Sequence, residues 1–394
     1  MYRIRTHNKI SPKGLSLLDS NLFEVGENIE EPDAILVRSY KLHDTEFPES
    51  VKAIARAGAG VNNVPVERCT NAGIVVFNTP GANANSVKEL VISGLLLSSR
   101  KIHEGLEWVQ TLRDKGDEVS ALVEKEKSSF AGPEIAGKTL GVVGLGAIGV
   151  MVSNAALALG MEVVGFDPYL SVESAWGLSG SVSRARNLDA LLAQSDYISL
   201  HVPLNGSTKS MIDATTLSKV KPGARLLNFA RGGLVNNQDL LSALDAGILS
   251  VYVTDFPEAE LLGNAKVLAV PHLGASTPEA EENCAIMAAR QLSEFLLRGN
   301  IVNSVNFPEC QLDYSNNERI LIANRNIPNM VGQITTILAD ANINIQDLIN
   351  RHYEDIAYNI IDLDARVPAP SIEKIRNIDG VIALREIHPE ERTA

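Results

Sequence analysis

Three glycines, Gly144, Gly146 and Gly149 in VVGLGAIG, have the spacing at which a chain turns tightly, lets an anion approach its backbone and opens a helix. An acid, Asp167, lies 18 residues past the last of them. Farther along come Arg231 in GARLLNFARGGLVN, Asp255 with Glu258 and Glu260 just beyond it, and His272 in VLAVPHLGAS. Each type has a use. A glycine turn at a helix N-terminus holds a pyrophosphate, and a carboxylate ending the next strand accepts ribose hydroxyls while repelling a 2′-phosphate, which points to NAD over NADP. Arginine clamps a carboxylate through two parallel hydrogen bonds. Histidine exchanges the proton of a secondary alcohol near neutral pH, and a carboxylate behind it fixes its tautomer. Together these are the needs of hydride transfer from a 2-hydroxy acid to NAD.

The elements that must position these residues are legible from 139 onward. TLGVVGLGAIG, MEVVGFDPY, SDYISLHVPL, ARLLNFARGG, SVYVTDF and VLAVPHLG are six strand candidates with near-continuous apolar runs, as parallel strands covered on both faces require. The candidate residues fall at the strands' carboxyl ends, where open α/β sheets bind ligands: His201 and Pro203 after the third, Arg231 after the fourth, Asp255 after the fifth, His272 and Gly274 after the sixth. Taken by itself, Arg231 followed by Gly232-Gly233 is also compatible with a surface arginine and a plain turn.

The first segment alternates short strands (33–39, 51–58, 73–78) with helices, and NSVKELVISGLLLSSRKI predicts a helix with a capping box from Ser86 to Glu89. In RAGAGVNNV the amides around Gly58, Ala59 and Gly60 suit a small anion, with Arg56 beside them, or a plain turn. Residues 100–130 read as charged helix. STPEAEENCAIMAARQLSEFLLRGN is a long helix with a proline near its start and Gly299 near its end. A polar stretch over 303–318 reads as a linker, and 319–388 as β-α-β-β-α-β, a ferredoxin-like unit.

Composition narrows the function. The chain has 394 residues, enough for two or three domains, with 45% hydrophobic and 21% charged residues, an ordinary soluble balance. Net charge is −13, which argues against a nucleic-acid surface and leaves any anionic substrate to local cations. No run is apolar enough to span a membrane, and the first ten residues lack the apolar core of a signal peptide. The three cysteines, Cys69, Cys284 and Cys310, have no metal-like spacing and fit a reducing cytoplasm, and no metal site is expected.

The order GLGAIG, FDPY, HVPL, NFARGG, VTDFPEAE, PHLGAST resembles the D-isomer-specific 2-hydroxy acid dehydrogenase family over nearly the whole chain. The resemblance implies two doubly wound parallel-sheet domains plus a small ferredoxin-like C-terminal domain of the amino-acid-binding ACT kind. The expected limits are 1–95 with 275–305 for a flavodoxin-like substrate domain and 96–274 for a Rossmann NAD domain. A linker over 306–317 and a regulatory domain over 318–394 follow. It assigns Arg231 to the substrate carboxylate, His272 to acid–base work, Glu260 (or Glu258) to the support of His272, and Asp255 to the nicotinamide carboxamide. Expected cofactor contacts are Gly144, Gly146, Ala147, Ile148, Gly149, Asp167, His201, Pro203, Thr208, Ala230, Asp255 and Gly274. Substrate contacts are Arg56, which meets a phosphate, with Ala59, Gly60, Asn62, Asn83 and Ser86. Residues 100–130 resemble a dimer arm whose Lys127 reaches a partner's site. The implied reaction is NAD-dependent oxidation of D-3-phosphoglycerate, the first step of L-serine synthesis, in a homodimer or homotetramer. L-Serine is the expected effector, at Asn324, Asn326 and Asn344. A sibling enzyme acting on glyoxylate, hydroxypyruvate or 2-oxoglutarate, or an NAD-sensing corepressor, shares the pattern.

Overall fold

The computed structural model describes residues 1–313, 315 and 317–391; parts of the expected linker and of the last expected domain lie outside the described residues. Contacts divide the chain into two compact units, Met1–Asn83 with Pro278–Ala394, and Ala84–Thr277.

The first unit contains a five-stranded parallel sheet built from β1 (Tyr2–His7), β2 (Phe23–Gly26), β3 (Ala34–Val37), β4 (Ala53–Arg56) and β5 (Val75–Phe77), in the order β2-β1-β3-β4-β5. Its apolar strands feed two cores by simple alternation. Ala34, Leu36, Ala53, Ala55, Val75 and Phe77 face one side, against the Pro278–Arg298 helix, while Ile35, Val37, Ile54 and Val76 face the other. The sequence reading omits β1 and β2. In β1, Arg3 and Arg5 interrupt the apolar run; Arg5 spends its guanidinium on the carbonyls of Ile29 and Glu30.

The second unit is a seven-stranded parallel sheet of β6 (Thr139–Val143), β7 (Glu162–Phe166), β8 (Ser183–Arg184), β9 (Tyr197–Leu200), β10 (Ala224–Asn228), β11 (Leu249–Thr254) and β12 (Val267–Ala269), ordered β12-β11-β10-β9-β6-β7-β8. Only the two-residue β8 was not expected. The order reverses beside β6, so a crevice opens where β6 and β9 diverge into their connections. The helix Ala84–Ser99 belongs to this unit and not, as its expected boundary at 95 had it, to the first. At Gly94 it lies so close that an added Cβ would come within 2.8 Å of Phe229. The helix starts two residues before Ser86, so Ser86 is a buried first-turn residue and no capping box forms there.

The last part of the sequence, also within the first unit, forms a four-stranded antiparallel sheet of β13 (Glu318–Arg325), β14 (Ile345–Tyr353), β15 (Ile356–Leu363) and β16 (Val381–Ile387), ordered β14-β15-β13-β16, with helices Met330–Asp340 and Ala369–Arg376. This is the expected β-α-β-β-α-β pattern. Ile320, Ile322, Ile361 and Leu363 pack against its helices. Leu321, Ala323, Tyr358, Ile360 and Ile387 on the opposite face join the same core as Phe295, Leu296 and Phe307. The tail is therefore a further layer of the first unit. The stretch expected as a linker is stitched down as well. Asn306 is buried, accepts from Val76 N (2.8 Å) and donates to Thr70 Oγ1 and Ile74 O (both 3.0 Å), and Ile301 pairs with Cys310. Polar composition misled here because these polar groups cap the open edge of β5.

Candidate active site

Gly144 directly follows β6 at φ +92°, and a Cβ there would sit 2.6 Å from the His201 carbonyl. Gly146 is the N-cap of the helix Ala147–Ala158, with open space where a side chain would be. Gly149 passes so close to Gly144 that a Cβ would lie 2.0 Å from its carbonyl oxygen. The turn thus has room only on its outer side, over Gly146, Ala147 and Ile148, where the helix's first N–H groups point. Asp167 follows β7; its carboxylate accepts from Leu145 N and Tyr169 N, both at 2.8 Å, which holds it against the glycine turn. At the end of β9, His201 Nε2 meets Ser199 Oγ at 2.9 Å. Its Nδ1 is buried without a partner among the described residues. Burial pushes its pKa down to about 4, so the ring is neutral at pH 7. Thr208 Oγ1 donates to the Pro203 carbonyl at 2.6 Å and closes the following loop.

The carboxyl ends of β10, β11 and β12 bring the second set together. Asn228 organises Arg231: its Nδ2 donates to the Arg231 carbonyl (2.9 Å) and its Oδ1 accepts from Ala230 N (3.2 Å). The exposed guanidinium of Arg231 rests on the Ala230 carbonyl at 2.7 Å. Asp255 is 1% exposed, and its Oδ1 has no hydrogen-bond partner among the described residues. Burial raises its pKa, opposed by His272, by the Gly274 N–H and by Arg231. His272 donates its backbone N–H to the Asp255 carbonyl (3.1 Å), packs its ring on Phe256 at 4.9 Å, and takes an unusual positive φ of 20°. Arg231, Asp255 and His272 therefore share one edge. The glutamates are the exception. Asn237 Nδ2 donates to Glu258 Oε2 (2.9 Å) and to Glu260 Oε1 (2.6 Å), and neither carboxylate bonds His272. Asn228 and Asn237 are the residues sequence reasoning missed. The pair Asn236-Asn237 carried a signal: Asn236 caps its helix, which leaves the second amide free for another task.

The expected substrate residues lie in both units. Arg56 ends β4, donates from Nε to the Arg38 carbonyl (3.1 Å), and lays its guanidinium over Gly58, where a Cβ would meet Nη1 at 2.4 Å. Ala59 is held by Asn78 Nδ2 on its carbonyl (2.6 Å) beside Gly60; Asn62 is exposed and Asn83 half-buried. Lys127 is exposed and paired with Glu124. In the tail, Asn324 is not in the loop after the first strand. It is the penultimate residue of β13, turned inward and 1% exposed, donating to the Arg325 carbonyl (2.6 Å) and accepting from Asn359 Nδ2 (2.8 Å). Asn326 is exposed and bonds the backbone of Glu354 and Asp355 past the end of β14, whereas Asn344 precedes its start. Nine strand residues separate them, about 30 Å at 3.3 Å per residue, so one chain does not bring these two together.

The crevice at the switch in strand order, the glycine turn and the three-residue edge define an NAD-dependent oxidoreductase of the α/β class. Residues 92–275 match the family model for the D-isomer specific 2-hydroxyacid dehydrogenase, NAD binding domain. The chain is 31% identical over 387 residues to D-3-phosphoglycerate dehydrogenase of Haemophilus influenzae, covering 93% of this chain and 89% of that one. To the protein of that name from Methanocaldococcus jannaschii it is 33% identical over 387 residues, covering 91% and 70%. A solved NAD+-bound 3-phosphoglycerate dehydrogenase from Entamoeba histolytica superposes with a TM-score of 0.59 at 26% identity, over 77% of this chain and 98% of that one. The chain belongs to the D-isomer specific 2-hydroxyacid dehydrogenase family, and its cofactor is NAD. Among the described residues no cluster suits a metal ion, and no helix is long and apolar enough to cross a membrane.

Proposed function

We propose that this protein oxidises D-3-phosphoglycerate to 3-phosphohydroxypyruvate, the first step of L-serine synthesis. The observation that carries the reading is the run of relatives of that name at 31–38% identity, one of them matched over 89% of its length. The residues present fit NAD. The glycine turn leaves room on its outer side for a pyrophosphate, and the buried, unpartnered Oδ1 of Asp255 is an acceptor waiting for an amide N–H. Asp167, held against the glycine turn, would accept the ribose hydroxyls. NAD, when bound, accepts the hydride from C2 of the substrate.

The chain's own residues do the rest. Arg231 binds the substrate carboxylate through two N–H groups and fixes C2. An imidazole nitrogen of His272 takes the hydroxyl proton as the C2–H bond breaks, so the alcohol becomes a ketone. Glu260 is the residue we assign to back His272, with Glu258 as the alternative. To do so it exchanges its bond to Asn237 for one to the ring, a rotation of an exposed side chain. Arg56 meets the phosphate over the Gly58 turn.

Two paired tails would complete an L-serine site. β14 is a sheet edge, and two copies joined antiparallel along it would set Asn344 of each near Asn326 of the other. NADH formation tests the main reading, with D-3-phosphoglycerate set against D-glycerate, D-lactate and 2-hydroxyglutarate. The phosphorylated acid is expected to give the highest kcat/KM, and Arg56→Ala to hurt it more than the others. Turnover of glyoxylate or hydroxypyruvate without use of D-3-phosphoglycerate would move the protein to a sibling activity.

A further inference from the structure

Tyr252 on β11 is 2% exposed and joins the core that holds Leu226, Leu240 and Leu261. A phenylalanine would fill the same space with no polar group to bury, so the hydroxyl calls for a reason. The parallel register pairs Tyr252 with Leu226 and Thr254 with Asn228, which sets these four side chains on one face of the sheet. The hydroxyl accepts from Asn228 Nδ2 at 3.3 Å. Burial pushes its pKa up, opposed by hydrogen bonds with the Thr254 and Asn228 side chains, so the phenol stays protonated near neutral pH.

Both partners of the phenol lead to the site. Asn228 has two amide N–H groups. It gives one to Tyr252 and the other to the Arg231 carbonyl (2.9 Å), while its Oδ1 accepts from Ala230 N (3.2 Å). One side chain thereby sets the direction in which the backbone presents Arg231. Gly232 and Gly233 follow and have no side chains to brace the turn. On the other side, Thr254 is fully buried and its Oγ1 accepts from Phe256 N at 3.0 Å; the Phe256 ring packs on His272. The phenol joins the end of β10 to the end of β11 from beneath, too deeply buried to touch a substrate itself.

We infer that Tyr252 is a positioning residue for the reaction: its hydroxyl locks the Asn228 amide and, through it, the angle at which Arg231 meets the substrate carboxylate. This role rests on the reading of Arg231 as the carboxylate clamp and is independent of the phosphate. A clamp acts on substrate and transition state alike, so loosening it raises KM more than it lowers kcat.

Oxamate, a carboxylate with the outline of a 2-keto acid, is the binding probe, titrated by calorimetry into the NADH-loaded full chain. Steady-state kinetics run beside it with the 2-hydroxy acid that turns over fastest. Tyr252→Phe should raise KM and the oxamate Kd about three- to tenfold, as loss of one hydrogen bond does, with kcat within about twofold and NAD affinity unchanged. Asn228→Ser keeps an acceptor for Ala230 N, loses both donors and should raise KM and Kd further. The double variant should match Asn228→Ser alone, because the phenol acts through the amide. A Tyr252→Phe protein with a lower melting temperature but the parent's KM and oxamate affinity would make the hydroxyl structural and overturn the role. Full additivity in the double variant would overturn it too. Arg231→Ala tells the two readings apart. If it leaves oxamate binding untouched, the clamp and the role of Tyr252 fall together; if it weakens oxamate while Tyr252→Phe does not, only the role of Tyr252 falls.

Discussion

Asp255 and Asn324 are both 1% exposed and both polar, yet they differ in what they leave open. Asp255 keeps an oxygen without a hydrogen-bond partner among the described residues, at the carboxyl edge of a parallel sheet. Asn324 spends its amide on Arg325 and Asn359 inside an antiparallel one. In a parallel sheet every carboxyl end lies on the same edge, so residues that follow successive strands meet whatever their separation in sequence. In an antiparallel sheet successive ends alternate, and closeness in sequence misleads. Asn326 and Asn344 are 18 residues apart and stand at opposite ends of β14.

The contrast breaks most severely if the tail is a dispensable module. A chain ending near Asn317 would strip Leu321, Ala323, Tyr358, Ile360 and Ile387 from the core they share with Phe295 and Phe307. At roughly 1.5–3 kcal/mol per buried side chain the loss is about 10 kcal/mol, comparable with the whole stability of a domain. The truncated chain is expected to aggregate or to melt tens of degrees lower by calorimetry. A truncated protein with the parent's melting temperature would show the shared core to be marginal.

At the other edge, His272→Ala should lower kcat by about 10²–10⁴-fold, the usual contribution of a positioned general base. NAD affinity, measured by fluorescence titration, should stay within a factor of a few. Full turnover in the variant would remove His272 from proton transfer and leave Arg231 and Asp255 as a binding edge only.

How much of this was readable in advance follows the same division. The six long strands of the second sheet were legible because both faces are covered and their apolar runs are unbroken. β1 was not, since Arg3 and Arg5 carry their charge into a strand whose partners are supplied from 24 and 25 residues away. The meeting of Arg231, Asp255 and His272 followed from strand order. The hold of Asn237 on both glutamates did not, because a side-chain amide reaching across from a helix start leaves no periodicity in the sequence. The polar 303–310 stretch looked like linker for the same reason: its hydrogen bonds go to residues some 230 positions earlier.

His201 gives a pH signature to the parallel edge. Its folded pKa of about 4 lies below the ordinary 6.5, so between these values the unfolded chain binds the proton and the folded one does not. Stability from this group is therefore complete above about pH 6.5 and falls as pH drops toward 4, by about 3 kcal/mol at 1.36 kcal/mol per unit. His201→Gln should flatten that limb of the melting temperature against pH relative to the parent. Parallel curves for the two proteins would mean that the ring opens to solvent before the fold does.

The smallest effects separate the three asparagines of the tail. Asn324→Ala should cost about 1–3 kcal/mol of stability, because the Arg325 carbonyl and the Asn359 amide lose their partner inside the sheet. Asn326→Ala and Asn344→Ala are surface changes and should stay within about 0.5 kcal/mol. If paired tails hold L-serine, its affinity should show the opposite ranking. Asn344→Ala should abolish the binding heat while the melting temperature stays put, and diluting the protein should weaken L-serine as the pairs dissociate. L-Serine that binds the parent tightly at every protein concentration, and survives Asn344→Ala, would place its site within one chain. The shared edge of two antiparallel sheets would then have no part in it, because a single chain keeps Asn326 and Asn344 a full strand length apart.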